Sequence, residues 1–227
     1  MRYLLAALFL ACAATARAAD DDDEKLSLKK GDRIIFLGDS ITQAGVKSTG
    51  YVTLIRQAIE KKRKDDKIEI IGAGVSGNRV PNLQKRLNAD VLKKKPTLVV
   101  IYIGINDVWH SIRKAGTPKD RYEAGLKEII GKIQKAGARV LLCTPSVIGE
   151  KSINALDKML DEYSAISRKV AKATKVPVCD LRKAFVDYLK KNNSDDKYKG
   201  VLTTDGVHLN TRGNKLVAAQ ILKALGE

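Results

Sequence analysis

The sequence predicts a three-layer α/β/α sandwich built on a parallel five-stranded sheet, and three observations lead there. Short apolar runs rich in β-branched residues recur five times, mostly without the polar alternation of a half-exposed strand. Amphipathic helical patterns fill the intervals between them. Strand and helix signals therefore alternate, as in right-handed crossovers that lay helices on both faces of one sheet. No internal repeat, low-complexity tract or linker interrupts the series, so residues 31–227 read as one domain.

The chain has 227 residues. Arg2, the apolar stretch Leu4 to Ala14 and the small-x-small site Ala16-Arg17-Ala18 make residues 1–18 a signal peptide, too short to span a bilayer. A secreted or periplasmic protein is the expectation. Cys12, in Leu10-Ala11-Cys12, offers an alternative processing point that would carry a lipid anchor, although Phe9 stands where such signals usually have leucine. Residues 19–30 begin with the like-charge run Asp20 to Glu24 and are expected to be a flexible acidic N-terminus.

The strands are expected at Arg33–Leu37, Ile68–Gly72, Leu98–Ile103, Arg139–Cys143 and Val176–Cys179. Helices are expected at Tyr51–Lys64, Pro81–Leu92, Tyr122–Ala136, Ile153–Ala173, Leu181–Lys190 and Thr211–Leu225. Leu54, Ile55, Ala58 and Ile59 share one face of the first helix, and proline suits the opening turn of the second. The last helix has Val217, Ile221 and Leu225 at four-residue spacing, with Gly226 beyond its end. Cys143 and Cys179 each end a strand and read as small buried hydrophobes; export permits a disulfide between them without demanding one.

Chemistry is expected at the carboxyl ends of the strands, where open parallel sheets bind their ligands. Gly38-Asp39-Ser40 follows the first strand, presenting a serine hydroxyl that needs a base to become a nucleophile. The chain has only two histidines, and His208 lies in Asp205-Gly206-Val207-His208, just before the last helix. That spacing lets the carboxylate take the proton of one imidazole nitrogen while the other faces a substrate. Gly74-Val75-Ser76-Gly77-Asn78 after the second strand and Gly104-Ile105-Asn106-Asp107 after the third offer N–H donors for an oxyanion. Each of these segments alone is also an ordinary turn.

Gly38-Asp39-Ser40, Gly77, Gly104-x-Asn106-Asp107 and Asp205-x-x-His208 resemble, in order, the four sequence blocks of the SGNH, or GDSL, hydrolases. The resemblance runs from about Arg33 to the last helix. It implies a flavodoxin-like fold and an ester hydrolase with Ser40 as nucleophile, His208 as base then acid, and Asp205 orienting it. It implies an oxyanion hole made by the N–H groups of Ser40 and Gly77 and the Asn106 amide, with Gly74 as the alternative to Gly77. No cofactor and no metal are implied. Asp39 and Asp107 are expected to hold their turns through backbone hydrogen bonds. A Gly-x-Ser-x-Gly elbow is missing, which sets aside the α/β-hydrolase fold.

Tyr51 and Trp109 are candidates for the substrate pocket, each with a plainer alternative: Tyr51 starting a helix core, Trp109 packing on the sheet edge. The loops Asp107–Lys119 and Pro145–Ser152 are expected to wall that pocket. Few aromatics and little chain for a lid favour a small acyl group, and a carbohydrate O-acetylesterase is the expectation. A general carboxylesterase, lysophospholipase or thioesterase is the alternative within the family; a non-catalytic carbohydrate binder or a flavodoxin-like phosphate binder is the alternative outside it. Asp39 would repel phosphate, and no P-loop follows the first strand. The formal charge is +16 and aromatic residues make up 5%. The lysines are scattered over amphipathic faces, so nucleic-acid partners and stable membrane insertion are not expected.

Overall fold

The computed structural model describes residues 26–152 and 154–227. The expected signal peptide, Cys12, the acidic run at 20–24 and Ile153 lie outside them. Five strands, β1 (Arg33–Gly38), β2 (Glu69–Gly74), β3 (Leu98–Tyr102), β4 (Arg139–Cys143) and β5 (Val178–Cys179), form one sheet in the order β2-β1-β3-β4-β5. Every neighbouring pair is parallel. The helices are α1 (Ser40–Gly45), α2 (Tyr51–Lys62), α3 (Val80–Asp90), α4 (Ile105–Trp109), α5 (Lys119–Lys135), α6 (Ala155–Thr174), α7 (Leu181–Asn192) and α8 (Thr211–Ala224). This is the flavodoxin-like α/β/α sandwich.

The strand order positions the site. The chain steps outward from β1 to β2, then returns past β1 to β3 and continues the other way. Right-handed crossovers in opposite directions put α2 on one face and α3, α5 and α6 on the other. The packing agrees: α2 lies against α8, while α3 lies against α5 and α5 against α6. The reversal opens a crevice beyond the carboxyl ends of β1 and β3.

Apolar burial holds the sheet. Ile34 to Leu37 in β1 and Leu98 to Ile101 in β3 are wholly inaccessible to solvent. Each such side chain contributes roughly 1.5–3 kcal/mol relative to exposure. The unbroken apolar runs are thus those of strands covered on both faces. Side-chain caps begin several helices: Asn154 accepts from Leu156 and Asp157 N–H, and Asn210 from Arg212 and Gly213 N–H.

Two strand boundaries differ from expectation by two residues. β5 is only two residues long, because Pro177 has no N–H to give and the Val176 N–H turns back to Ala171. β2 runs on to Gly74 in register with Gly38. Cys143 and Cys179 are register partners across β4 and β5, and both are free, buried thiols. Among the described residues no helix is long and apolar enough to cross a membrane.

Candidate active site

β1 ends at Gly38 and α1 begins at Ser40, which leaves one residue for the turn between them. A side chain at position 38 would strike the Thr42 hydroxyl and the Tyr102 carbonyl, so the approach of β3 and α1 requires glycine. Asp39 caps α1, its Oδ1 accepting the Ile41 N–H at 2.9 Å. Ser40 is thereby fixed at the helix N-terminus with its hydroxyl directed to His208: Oγ lies 2.9 Å from Nε2. His208 Nδ1 lies 2.7 Å from Asp205 Oδ2.

This pairing assigns the imidazole protons. A carboxylate only accepts, so Nδ1 carries the hydrogen and the neutral ring's Nε2 is free to accept from Ser40. The Asp205 carboxylate also receives the Val207 and His208 backbone N–H groups, at 2.9 and 2.8 Å. Partial burial pushes its pKa up, but these hydrogen bonds and that of the His208 ring outweigh it and hold the group below its ordinary value.

The expected oxyanion donors stand at the ends of three adjacent strands. Among the described residues, neither the Ser40 nor the Gly77 N–H finds an acceptor. Gly77 has a φ of +74°, a left-handed turn that suits glycine, and a side chain added there would meet only the edge of the His110 ring, 4.0 Å from its Cβ. Gly74, the alternative, lies tight under the backbone of Thr42 and Gln43, so close packing explains it instead. Asn106 is buried in the first turn of α4 and its Nδ2 donates to the Asn78 carbonyl at 3.1 Å. A longer contact of 3.5 Å reaches Asp39 Oδ2. The Asn106 amide thus ties together the loops after β1, β2 and β3.

Asp39 and Asp107 are both buried. Asp39 holds its own turn as expected. Asp107 instead reaches across to the Val80 N–H that opens α3, at 3.1 Å. Burial pushes Asp39 up to about 7, and the neighbouring Asp107 carboxylate pushes the same way. Burial likewise raises Asp107 to about 6. A carboxyl that holds its proton more tightly when folded is most stabilising below its unfolded value, and that contribution is lost as pH rises through the folded value. Asp39 alone should therefore cost the wild type about 2–3 kcal/mol of unfolding free energy between pH 5 and pH 8. Asp39→Asn keeps an acceptor for Ile41 N–H but cannot titrate. Urea unfolding should show the variant gaining on wild type by that amount over the interval; parallel pH curves would contradict it.

The two pocket candidates separate. Tyr51 is wholly buried, its ring edge-on to Phe36 and Tyr102 and its hydroxyl 2.8 Å from Thr42 Oγ1. It belongs to the core and cannot touch a substrate. Trp109 is half-buried, one helical turn beyond Asn106, with part of its ring against the core. The loop from Pro145 is buried as far as Glu150, leaving only Lys151 and Ser152 of that expected pocket wall exposed.

Arg86, on α3, carries no signal in the sequence, where it looks like any polar residue of an amphipathic helix. It donates to the carbonyls of Gly38 (2.7 Å) and Ala73 (2.9 Å) and to Asn78 Oδ1 (2.7 Å). One guanidinium therefore frames the ends of β1 and β2 on either side of the Gly77 turn. Asp90 balances its charge at 2.7 Å.

Serine, imidazole and carboxylate in one hydrogen-bonded line at the carboxyl ends of the strands of an α/β/α sandwich are the arrangement of a serine hydrolase. The chain belongs to the GDSL-like lipase/acylhydrolase family, which it matches over residues 36–216, and this match makes it a carboxylic ester hydrolase. It is 28% identical over 217 residues to an acetylxylan esterase of Geobacillus stearothermophilus, covering 88% of this chain and 97% of that one. It is 26% identical over 206 residues to an isoamyl acetate-hydrolyzing esterase 1 homolog of Rattus norvegicus, covering 82% and 78% of the two. Among solved structures, the acetyl xylan esterase AlAXEase superposes with a TM-score of 0.82 at 45% identity, covering 85% of this chain and 99% of that one. Solved variants of the Geobacillus enzyme described as catalytic mutants replace a serine, an aspartate and a histidine by alanine.

Proposed function

We propose that this protein removes acetyl groups from esterified hydroxyls of a carbohydrate, through an acyl-enzyme on Ser40. The observation that carries this reading is the continuous line from Ser40 Oγ to His208 Nε2 and from His208 Nδ1 to Asp205. In the reaction, Ser40 Oγ attacks the ester carbonyl as its proton passes to Nε2. The tetrahedral oxyanion takes hydrogen bonds from the N–H groups of Ser40 and Gly77 and from the Asn106 amide. The imidazolium, stabilised by Asp205, returns the proton to the departing sugar oxygen, leaving acetyl-Ser40. Water then repeats the sequence with His208 as base, releasing acetate and restoring the serine.

The acyl group is the better supported half of the substrate. The acetylxylan esterase relatives and the isoamyl acetate-hydrolyzing esterase homologue have an acetyl ester in common, whereas their alcohols differ. Xylan is the alcohol favoured by the 45% identical acetyl xylan esterase structure. Trp109, half-buried one turn beyond Asn106, is assigned to the wall of the acyl or sugar pocket. A polymeric substrate fits an exported enzyme with residues 1–18 as its leader. N-terminal sequencing of secreted protein should begin at Ala19, and retention of Met1 would contradict export by cleavage.

The substrate test is a comparison of kcat/KM on p-nitrophenyl acetate and octanoate, followed by acetate release from acetylated xylan and from isoamyl acetate. At least a tenfold preference for acetate over octanoate is expected, since a small pocket must exclude the longer chain. Faster release from xylan than from isoamyl acetate is expected as well. A preference for octanoate would remove the acetyl assignment.

A further inference from the structure

We propose that Glu150 is a positioning residue for the Asp205–His208 pair, an inference that rests on the serine-hydrolase reading above. The segment bearing that pair has little regular structure: between α7 and α8 the only pairing among the described residues is one antiparallel bridge, Thr203 with Leu209. Something other than a helix or sheet ladder must set the imidazole against Ser40. Glu150, only 3% exposed, supplies it.

Its carboxylate takes three successive backbone N–H groups of that segment: Val201 at 2.8 Å on Oε2, and Leu202 and Thr203 at 2.7 and 2.5 Å on Oε1. Oε1 also accepts the Thr203 hydroxyl at 2.7 Å. A hydroxyl that gives its hydrogen to a carboxylate has its lone pairs left to accept. Thr203 Oγ1 uses one for the Gly206 N–H, at 3.1 Å. Gly206 is the residue between Asp205 and Val207, so two hydrogen bonds connect the buried carboxylate to the turn that holds the imidazole. Backbone pairs complete the attachment: Gly149 N–H to the Gly206 carbonyl at 2.7 Å and Glu150 N–H to the Tyr198 carbonyl at 2.8 Å.

The platform beneath Glu150 is itself fixed. Asp157 Oδ1 accepts the Ile148 N–H at 3.0 Å, and Asn154 donates to the Ile148 carbonyl at 2.5 Å. Buried Arg182 donates to the Ser146 carbonyl at 3.0 Å and pairs with Asp157 at 2.7 Å. The geometry therefore runs from the α6 and α7 framework through the loop after β4 to the His208 turn. A misplacement of the base by even an ångström weakens proton transfer from Ser40, which is where the effect should appear.

The test uses the full chain as wild type, Glu150→Gln, Thr203→Val and Ser40→Ala. Glutamine keeps one oxygen but turns an amide donor toward a backbone N–H, and valine keeps the shape of threonine without the relay hydroxyl. Both variants should lower kcat for p-nitrophenyl acetate by about 10- to 100-fold with KM within about twofold. Wild type is expected to show a downfield proton NMR resonance for His208 Nδ1–H, given its 2.7 Å contact with Asp205, and both variants should broaden or abolish it. Folded variants with wild-type kcat and an unchanged resonance, even at a lowered melting temperature, would make Glu150 a structural residue only and overturn the inference. If Glu150→Gln does not fold, Thr203→Val decides the matter by the same two readouts. Ser40→Ala separates the premises: if it retains turnover, the hydrolase reading itself has failed; if it is inactive while the other two match wild type, only the Glu150 inference has.

Discussion

Ser40→Ala is expected to lower kcat on an acetyl ester by about 10⁴- to 10⁶-fold and to abolish labelling by a fluorophosphonate. The size follows from the role proposed for the hydroxyl: without it no covalent intermediate could form, and only binding and oxyanion stabilisation would remain to accelerate direct attack by water. His208→Ala should cost about as much, since an unassisted serine hydroxyl is a poor nucleophile at neutral pH. The double variant should be scarcely worse than either single one, because groups that act on one proton form a unit and their losses do not add. Ser40 is neither deeply buried nor a packing residue, so unfolding curves should be close to those of wild type. Acetate release followed by titration at constant pH checks the rates. A Ser40→Ala enzyme within tenfold of wild type would place the nucleophile elsewhere.

Much of this architecture is legible in the residues because central strands advertise themselves. β4 lies at Arg139–Cys143 as its apolar run indicates, and β1 and β3 are displaced by a single residue at one end. The short elements are not legible. α1 has six residues and α4 five, too few for a helical period to show, and each starts within a glycine-containing motif that reads equally as a turn. Their consequence is chemical: Ser40 and Asn106 stand in first helical turns rather than in loops. Tyr51 shows the converse limit. A tyrosine after glycine near the nucleophile can face either way, and only the packing of Phe36 and Tyr102 around it decides for the core.

The residues that hold the site together escape sequence reading for a common reason. Arg86 acts on Gly38, 48 residues away, and Glu150 acts on Thr203, 53 residues away. Neither sits in a local pattern, and a lone arginine or glutamate is by default a solvated one. The motif residues were visible because several chemical roles crowd into four or five positions. Their supports are single side chains whose partners are brought near only by the sheet order. Sequence spacing thus reveals Asp205 and His208, three residues apart on one turn, and conceals the carboxylate that steadies the turn.

Asn106→Ala is the second large effect, and it isolates the oxyanion hole from the proton relay. Removing one preorganised donor of this kind costs about 2.7–4 kcal/mol of transition-state stabilisation, roughly 10²- to 10³-fold in kcat. KM should change little, because the donor meets a full negative charge only in the tetrahedral intermediate, not in the neutral ester. Part of the variant's behaviour is structural: Asn106 is buried and its Nδ2 also satisfies the Asn78 carbonyl, so stability should fall by about 1–3 kcal/mol. The two effects can be told apart. Loss of folding reduces the fraction of active molecules and is reversed by lower temperature, whereas loss of the donor lowers kcat per folded molecule at every temperature. Fluorophosphonate should still label Ser40 in the variant, more slowly, since the 2.9 Å contact between Ser40 Oγ and His208 Nε2 does not pass through the amide. A folded Asn106→Ala enzyme with kcat within twofold of wild type would show that the Ser40 and Gly77 N–H groups carry the oxyanion unaided.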